Sequence, residues 1–345
     1  MASSAPAPAA ERSAPRGVRP GPRVSVSRGL VTITVATVAL FVASALFAST
    51  SVSQGALSGM LPFAAVLAIA ALGQTLVIQQ GGIDLSVPGA ISLVVVIVTH
   101  EPKGDDGKLL GAVLLALGVA VVAGLLNGFL VGRLLLNPIV ATLGTNALMF
   151  AGVLGISGGS PRRTTDRLAS IAGGESLGVP NAVFLALLVL VVTSVVVKLT
   201  PAGRRFEAVG ANPAAAWAAG LRVRTFKGAG YLGAQLHYWV AGCVLAGIVA
   251  QPTAFQGNSY LLPSVAAVVL GGTSLLGGRG NLLATAVAAL FLSQLEQFVL
   301  ALGVSFAVRT LVEAAALAVG VLLYSVDVRS LAGRLVRRRH VPATT

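Results

Sequence analysis

Apolar runs divide the chain into ten segments of roughly membrane-crossing length: residues 30–49, 57–79, 84–100, 109–131, 138–157, 181–199, 231–251, 262–277, 282–302 and 307–325. A helix needs about 20 apolar residues to cross the hydrocarbon core. The runs are continuously apolar, which excludes a β-barrel, whose strands alternate apolar and polar over about ten residues. The third and eighth runs are short and are interrupted by glycine. Residues 1–28, rich in Ala, Pro, Ser and Arg, lack periodicity and are expected to form a disordered tail. The first run exceeds the roughly 7–15-residue core of a cleaved signal peptide. A retained helix is therefore preferred, although Ala43-Ser44-Ala45 imitates a cleavage site.

Composition supports this reading. The chain is 55% hydrophobic and 10% charged, with mean hydropathy +0.89. A soluble domain carries about 25% charged residues. The net charge of +13 is confined to short blocks between apolar runs, with no aromatic-interleaved basic face. It therefore reads as an orientation signal and not as a nucleic-acid site. With the N-terminus inside, the inside segments hold eighteen of the 24 Lys and Arg, and six fall outside, among them Arg162, Arg163 and Arg167. Both termini are expected in the cytoplasm, and a basic tail at 326–345 follows a membrane domain at 29–325. The single cysteine, Cys243, can form no internal disulfide.

Two glycine breaks resemble each other: Gly81-Gly82-Ile83-Asp84-Leu85-Ser86 and Gly271-Gly272-Thr273-Ser274-Leu275-Leu276. Paired breaks point to a transport pathway at mid-membrane depth, although glycine is also common in any membrane helix. Asp84 has two readings. A carboxylate at membrane depth is a functional candidate. It also stands where it and Ser86 can cap the N-terminus of the helix that follows, with Pro88 in an early position. Glu296 and Glu313 pose the same question on later helices. Asn127, Thr142, Asn146, Gln74 and Gln294 are uncharged polar residues that either bond between helices or line a pathway. Asp84, Ser86, Asn127, Thr142, Asn146 and Gln294 form the candidate pathway set.

No nucleotide-phosphate loop, metal-ligand spacing or nucleophile motif occurs, so no enzyme chemistry and no cofactor are expected. The main soluble segment is the loop 198–230. Pro201 is expected to stop the sixth helix. Asn212 can cap one short Ala-rich helix that opens with Pro213 and ends at Gly220. That helix suits insertion into a partner's groove, or else it is an idle connector.

The stretch GRRFEAVGANPAAAWAAGL at 203–221 resembles the coupling segment of ABC importer permeases of the ribose/branched-chain type. Four more strings are similar to the same family: GGIDLSVPGAISL at 81–93, LLNGFLVGRLLLNPIVATLGT at 125–145, YLLPSVAAVVLGGTSLLGGRGN at 260–281 and RTLVEAAALAVGVLL at 309–323. They stand in family order across most of 57–325. The resemblance implies an all-α membrane protein of about ten transmembrane helices with the type II ABC importer permease fold. It implies a homo- or heterodimer in the lipid bilayer, two cytoplasmic ATPase subunits and an extracytoplasmic solute-binding protein. Residues 198–230 become the ATPase-coupling loop, with Arg204, Arg205, Glu207, Gly210, Asn212, Pro213, Ala215 and Gly220 as its contact and shape-giving residues. Pro88, Ala284 and Glu296-Gln297 depart from the pattern, which often has Gly, Gly and Asn-Gly there. The expected cargo is a small neutral solute, a monosaccharide first. The alternatives are an autoinducer-like solute, a branched-chain amino acid, or an ion-gradient secondary transporter with Asp84, Glu296 and Glu313 as coupling groups.

Overall fold

The computed structural model describes residues 28–278 and 280–305, with scattered positions between 307 and 318. The expected tails, most of the tenth run, Glu313 and the basic positions Arg279 and Arg309 lie outside the described residues. Apart from a two-residue antiparallel pairing of Glu175–Ser176 with Val179–Pro180, the regular secondary structure of the described residues is helical.

Among the described residues, six helices or helical stretches are long and apolar enough to cross a membrane: Gly29–Phe47, Gln54–Gln79, Asp106–Gly132, Pro138–Ser157, Asn181–Leu199 and Leu282–Ala301. They contain α1 (Arg28–Phe47), α2 (Gln54–Gln79), α4 (Leu109–Gly132), α5 (Pro138–Ser157), α7 (Asn181–Ser194) and α12 (Leu282–Ala301). Between them lie α3 (Val87–His100), α6 (Asp166–Gly173), α8 (Pro201–Ala211), α9 (Pro213–Ala218), α10 (Val223–Ile248) and α11 (Leu261–Leu270). Two of these fall on short predicted runs. At about 1.5 Å per residue, α3 and α11 span only about 21 and 15 Å, less than the roughly 30 Å core.

The packing order follows from which helices are apolar all round. In α2 every residue from Ala64 to Gln79 is buried, and in α3 every residue from Val87 to Thr99 is. These two and α10 form the centre. By contrast α1, α4, α5 and α7 present Val, Leu and Phe outward, as a lipid-facing surface requires. One end of the bundle, called here the basic end, carries the links 80–86, 133–137, 199–222 and 271–281. The opposite end carries 48–53, 101–108, 158–180 and 249–260.

Three boundaries differ from the sequence reading. The loop 198–230 holds two helices before α10, not one. Pro201 opens α8, because Thr200 caps it by accepting from Gly203 N at 3.0 Å. The seventh run starts at Val223, eight residues early, since tertiary packing against α4 and α2 extends the helix through Arg224 and Lys227. The eighth run is a helix only to Leu270.

The seam between α4 and α10 explains how their backbones come so close. Gly124, Gly128 and Gly132 stand four residues apart on one face of α4. A Cβ at each would sit 2.8 Å from Leu232 Cα, 2.8 Å from Gly228 O and 2.7 Å from Arg224 O. Those atoms are backbone and cannot rotate away. Gly128→Ala is therefore expected to destabilise the protein by about 1–3 kcal/mol, read as a lower melting temperature in nanodiscs. Gly118→Ala, where a Cβ meets nothing within 4 Å, should leave melting unchanged, and equal melting of the two variants would refute this account of the seam.

Candidate functional site

The two glycine breaks are built alike. At the end of α2, Gly81 N donates to Ile78 O (2.9 Å) and Gly82 N to Val77 O (3.2 Å). At the end of α11, Gly272 N donates to Val269 O (2.8 Å) and Thr273 N to Val268 O (3.2 Å). Each pair is a six-to-one and five-to-two closure of a helix C-terminus, with Gly81 at φ +77° and Gly272 at φ +82° in the left-handed position. The structural repeat thus equates Gly81 with Gly272. The sequence pairing of Gly81-Gly82 with Gly271-Gly272 is one residue out of step, because the repeat is set by the left-handed residue and not by the doublet. Nor does the first break stand half-way along a span: α2 completes 26 residues, about 39 Å, before it.

The breaks touch each other. Gly278 N donates to Gln79 O at 2.9 Å. A Cβ at Gly277 would lie 3.1 Å from Gly81 N, and one at Gly280 only 2.1 Å from Gln79 Nε2. Glycine is thus required for two irregular segments to cross with their backbones in contact.

From this crossing the chain re-enters the bundle over residues 80–86, and α3 begins inside it. Asp84 Oδ1 accepts from Ser86 N at 2.8 Å and from Ser86 Oγ, a local turn at the N-terminal side of α3. Ser86 Oγ in turn accepts from Gln235 Nε2 of α10 (2.7 Å) and Asn127 Nδ2 of α4 (3.2 Å). Asn127 Oδ1 accepts from Thr145 Oγ1 of α5 at 2.6 Å. Thr142 Oγ1 accepts from Leu85 N (2.9 Å) and Asn146 Oδ1 from Gly89 N (2.8 Å). Leu85 N and Gly89 N, on either side of the start of α3, are thus met by side chains one turn apart on α5. Ser86, expected as a cap, makes no side-chain cap bond, because its hydroxyl is already committed to Asp84, Asn127 and Gln235.

Of the six candidate pathway residues, Asp84, Ser86 and Asn127 therefore share one side-chain network, and Thr142 and Asn146 bond the backbone beside it. All but Asn146 are buried. Gln294 lies elsewhere, donating from Nε2 to Ser44 Oγ of α1 at 3.0 Å. Gln74 accepts from Tyr238 OH at 2.8 Å. Gln235 and Thr145 were not singled out from sequence. Gln235 was legible as an amide within the seventh apolar run, one of the same kind as Gln74. Among the described residues no group of three His, Cys, Asp or Glu could hold a metal.

The segment 199–222 seats on the crossing. Gln80 Nε2 donates to Phe206 O of α8 at 2.9 Å. A Cβ at Gly210 would lie 2.3 Å from Gln79 O, and one at Gly278 is 3.7 Å from Ala211 Cα. Asn212 caps α9 by accepting from Ala215 N at 3.0 Å, with Pro213 at the first position. Gly220 closes α9 at φ +79°, donating to Trp217 O, while Leu221 N donates to Ala216 O. Glu207 accepts from Lys198. Arg204 donates to Leu199 O at 3.2 Å; its side chain and those of Arg205, Ala215 and Trp217 face outward.

Asp84→Asn is expected to keep both bonds to Ser86, since an amide oxygen accepts as a carboxylate oxygen does. It should melt within about 1 kcal/mol of the native protein. Asp84→Ala leaves the Ser86 N–H buried without a partner, and should cost about 1–3 kcal/mol. An Asn variant as unstable as the Ala variant, in thermal melts of the purified protein, would show that the charge and not the turn holds α3.

A scan against family models matches residues 56–326 to the family described as branched-chain amino acid transport system, permease component. The chain is 32% identical over 284 residues to a probable ABC transporter permease protein of Sinorhizobium fredii (strain NBRC 101917 / NGR234), covering 82% of this chain and 85% of that one. It is 35% identical over 265 residues to the ribose import permease protein of Bacillus subtilis (strain 168), covering 75% and 81%. It is 36% identical over 248 residues to the galactofuranose transporter permease protein of Escherichia coli (strain K12), covering 70% and 71%. No solved structure matches the chain. With most of its length inside the family match and a multi-pass helical bundle, the chain belongs to this family and is a permease component of an ABC transporter, of the ribose/sugar group and not an ATPase.

Proposed function

We propose that the chain is half of the translocation path of a sugar importer. It works as a dimer of permease subunits in the plasma membrane, with the type II importer fold, about ten spans and both termini in the cytoplasm. The observation that carries this reading is the seating of α8 on the crossing of the two glycine breaks. A pair of cytoplasmic ATPase subunits that grips the outward-facing Arg204, Arg205, Ala215 and Trp217 would move α8 and α9 as they close. Gly210 rests on Gln79 and Gln80 holds Phe206, so that motion acts first on the ends of α2 and α11. It passes from there into the Asp84–Ser86–Asn127–Gln235 network at the head of α3. In this reading the network is a clasp that holds α3 against α4, α5 and α10, and its neutral amide and hydroxyl groups can exchange partners as the clasp loosens. The ribose and galactofuranose permeases in the family support a monosaccharide cargo, delivered by an extracytoplasmic binding protein. The only Lys or Arg within the predicted spans, Lys198 and Arg309, stand within three residues of a span end, so none at mid-span favours an anion.

Three outcomes follow. The purified chain alone should neither hydrolyse ATP nor take up solute. Uptake by it alone on a proton or sodium gradient would favour a secondary transporter. In the complex with ATPase and binding protein, Gly220→Val forces a β-branched residue into a left-handed position, at a cost above about 1 kcal/mol. Gly210→Val drives a side chain into Gln79 O. Both should insert normally and lose ATPase stimulation together with uptake, and native values for both would leave 199–222 a mere connector. In competition assays, excess pentoses or hexoses should suppress uptake of the labelled solute. Competition by leucine or isoleucine alone would place the chain with the amino-acid permeases.

A further inference from the structure

Three cavities of about 550, 560 and 500 Å³ open on the bundle. The second is walled almost entirely by aliphatic side chains, such as Leu93, Leu114, Val122 and Leu148, and the first is mainly apolar apart from Asp106 and Arg167 at its rim. These two suit acyl chains. The third, between α2, α12 and the turn before α11, is different: Gln256, Ser259, Ser293, Glu296 and Gln297 all face it, beside Tyr260. Ser293, Glu296 and Gln297 stand at i, i+3 and i+4 on α12, so one helix face supplies them. Gln294, one residue from Ser293, is turned instead to α1. Gly55 and Gly59 of α2 form part of the opposite wall, and a Cβ at either would meet no atom within 4 Å. These glycines leave room and do not support packing. Glu296 lies 14 residues past Leu282, about 21 Å along α12 from the basic end. The cleft therefore opens toward the end remote from α8 and α9.

A carboxylate turned to lipid costs a few kcal/mol, and this face carries four further polar side chains with it. Such a wall fits water and a hydrogen-bonding solute, not hydrocarbon. We propose that the cleft is a solute site of the importer, in which Glu296 accepts charge-assisted hydrogen bonds from a pair of neighbouring hydroxyls while Gln297, Ser293 and Ser259 bond the rest of the molecule. The ligand class is a small, uncharged, polyhydroxylated molecule, and the carboxylate repels acidic sugars. This inference rests on the sugar-importer reading above.

The test uses the full complex of permease, ATPase and binding protein in proteoliposomes, with Cys243→Ser as background so that added cysteines stand alone. Ser259→Cys and Gln297→Cys should react with a charged, membrane-impermeant methanethiosulfonate reagent, and Leu114→Cys on the apolar wall should not. Failure of the two cleft cysteines to react overturns the proposal, as does a disulfide formed between Ser259→Cys of two copies, which would make the cleft a contact between permeases. For a transported pentose or hexose, Glu296→Gln should raise the half-saturation concentration about tenfold, the loss of one charge-assisted bond. It should also admit a hexuronate that the native complex excludes. Unchanged half-saturation together with continued exclusion overturns the role of Glu296. A native complex that takes up no sugar at all refutes the importer reading itself, and the labelling, which needs no transport, reports separately whether the cleft is wet.

Discussion

A backbone N–H or C=O that is removed from water and left without a partner costs several kcal/mol in a bilayer. The architecture depends on how this chain meets that constraint where its helices are interrupted. The ends of α2 and α11 close their carbonyls with the same pair of backbone bonds around a left-handed glycine. The start of α3 cannot satisfy its own donors, and Pro88 removes one of them. Three donors around it are met by side chains: Thr142 and Asn146 of α5 take Leu85 N and Gly89 N, and Asp84 takes Ser86 N within the same turn. Irregular backbone is tolerated here because protein, not lipid, surrounds it.

That solution ties the interruption to the rest of the bundle. The groups that satisfy α3 come from α5, and those that hold Ser86 come from α4 and α10. A small shift of α3 must therefore break or exchange several bonds at once. Packed interfaces of this kind switch between discrete arrangements and do not deform smoothly. The crossing of the two glycine breaks sits between this network and α8. At Gly210 the nearest neighbour is the backbone oxygen of Gln79, which cannot rotate away as a side chain can.

Small residues do this work throughout. Glycines on α4 let α10 approach to backbone contact, and α10 is the helix that brings Gln235 to Ser86. Where close approach is not needed, as at Gly55 and Gly59, glycine instead leaves space, and there the polar cleft opens. The same residue type serves opposite ends, and only its neighbours distinguish them.

Much of this was legible without coordinates. That the chain is a bundle of membrane-crossing helices follows from the apolar runs, since lipid demands about 20 apolar residues per crossing whatever the tertiary fold. The cap at Asn212, the proline after it and the left-handed Gly220 were readable because their causes lie within four residues of one another. The polar set Asp84, Ser86, Asn127, Thr142 and Asn146 was also visible, as polar groups out of place in apolar runs. Pro201 misled, since a proline that ends one helix can equally open the next once Thr200 caps it. The register of the glycine repeat was hidden, because the doublet is a feature of composition and the left-handed position is one of conformation. The sequence by itself determined that the chain is a helical membrane permease with two glycine-interrupted segments and a polar connection at 198–230, all properties of local pattern. Only the tertiary structure decided that the interruptions touch, that α8 rests on them, that Gln235 joins Asp84 while Gln294 does not, and that Glu296 faces a cleft, because each depends on which helix lies opposite, a relation between residues tens to hundreds of positions apart.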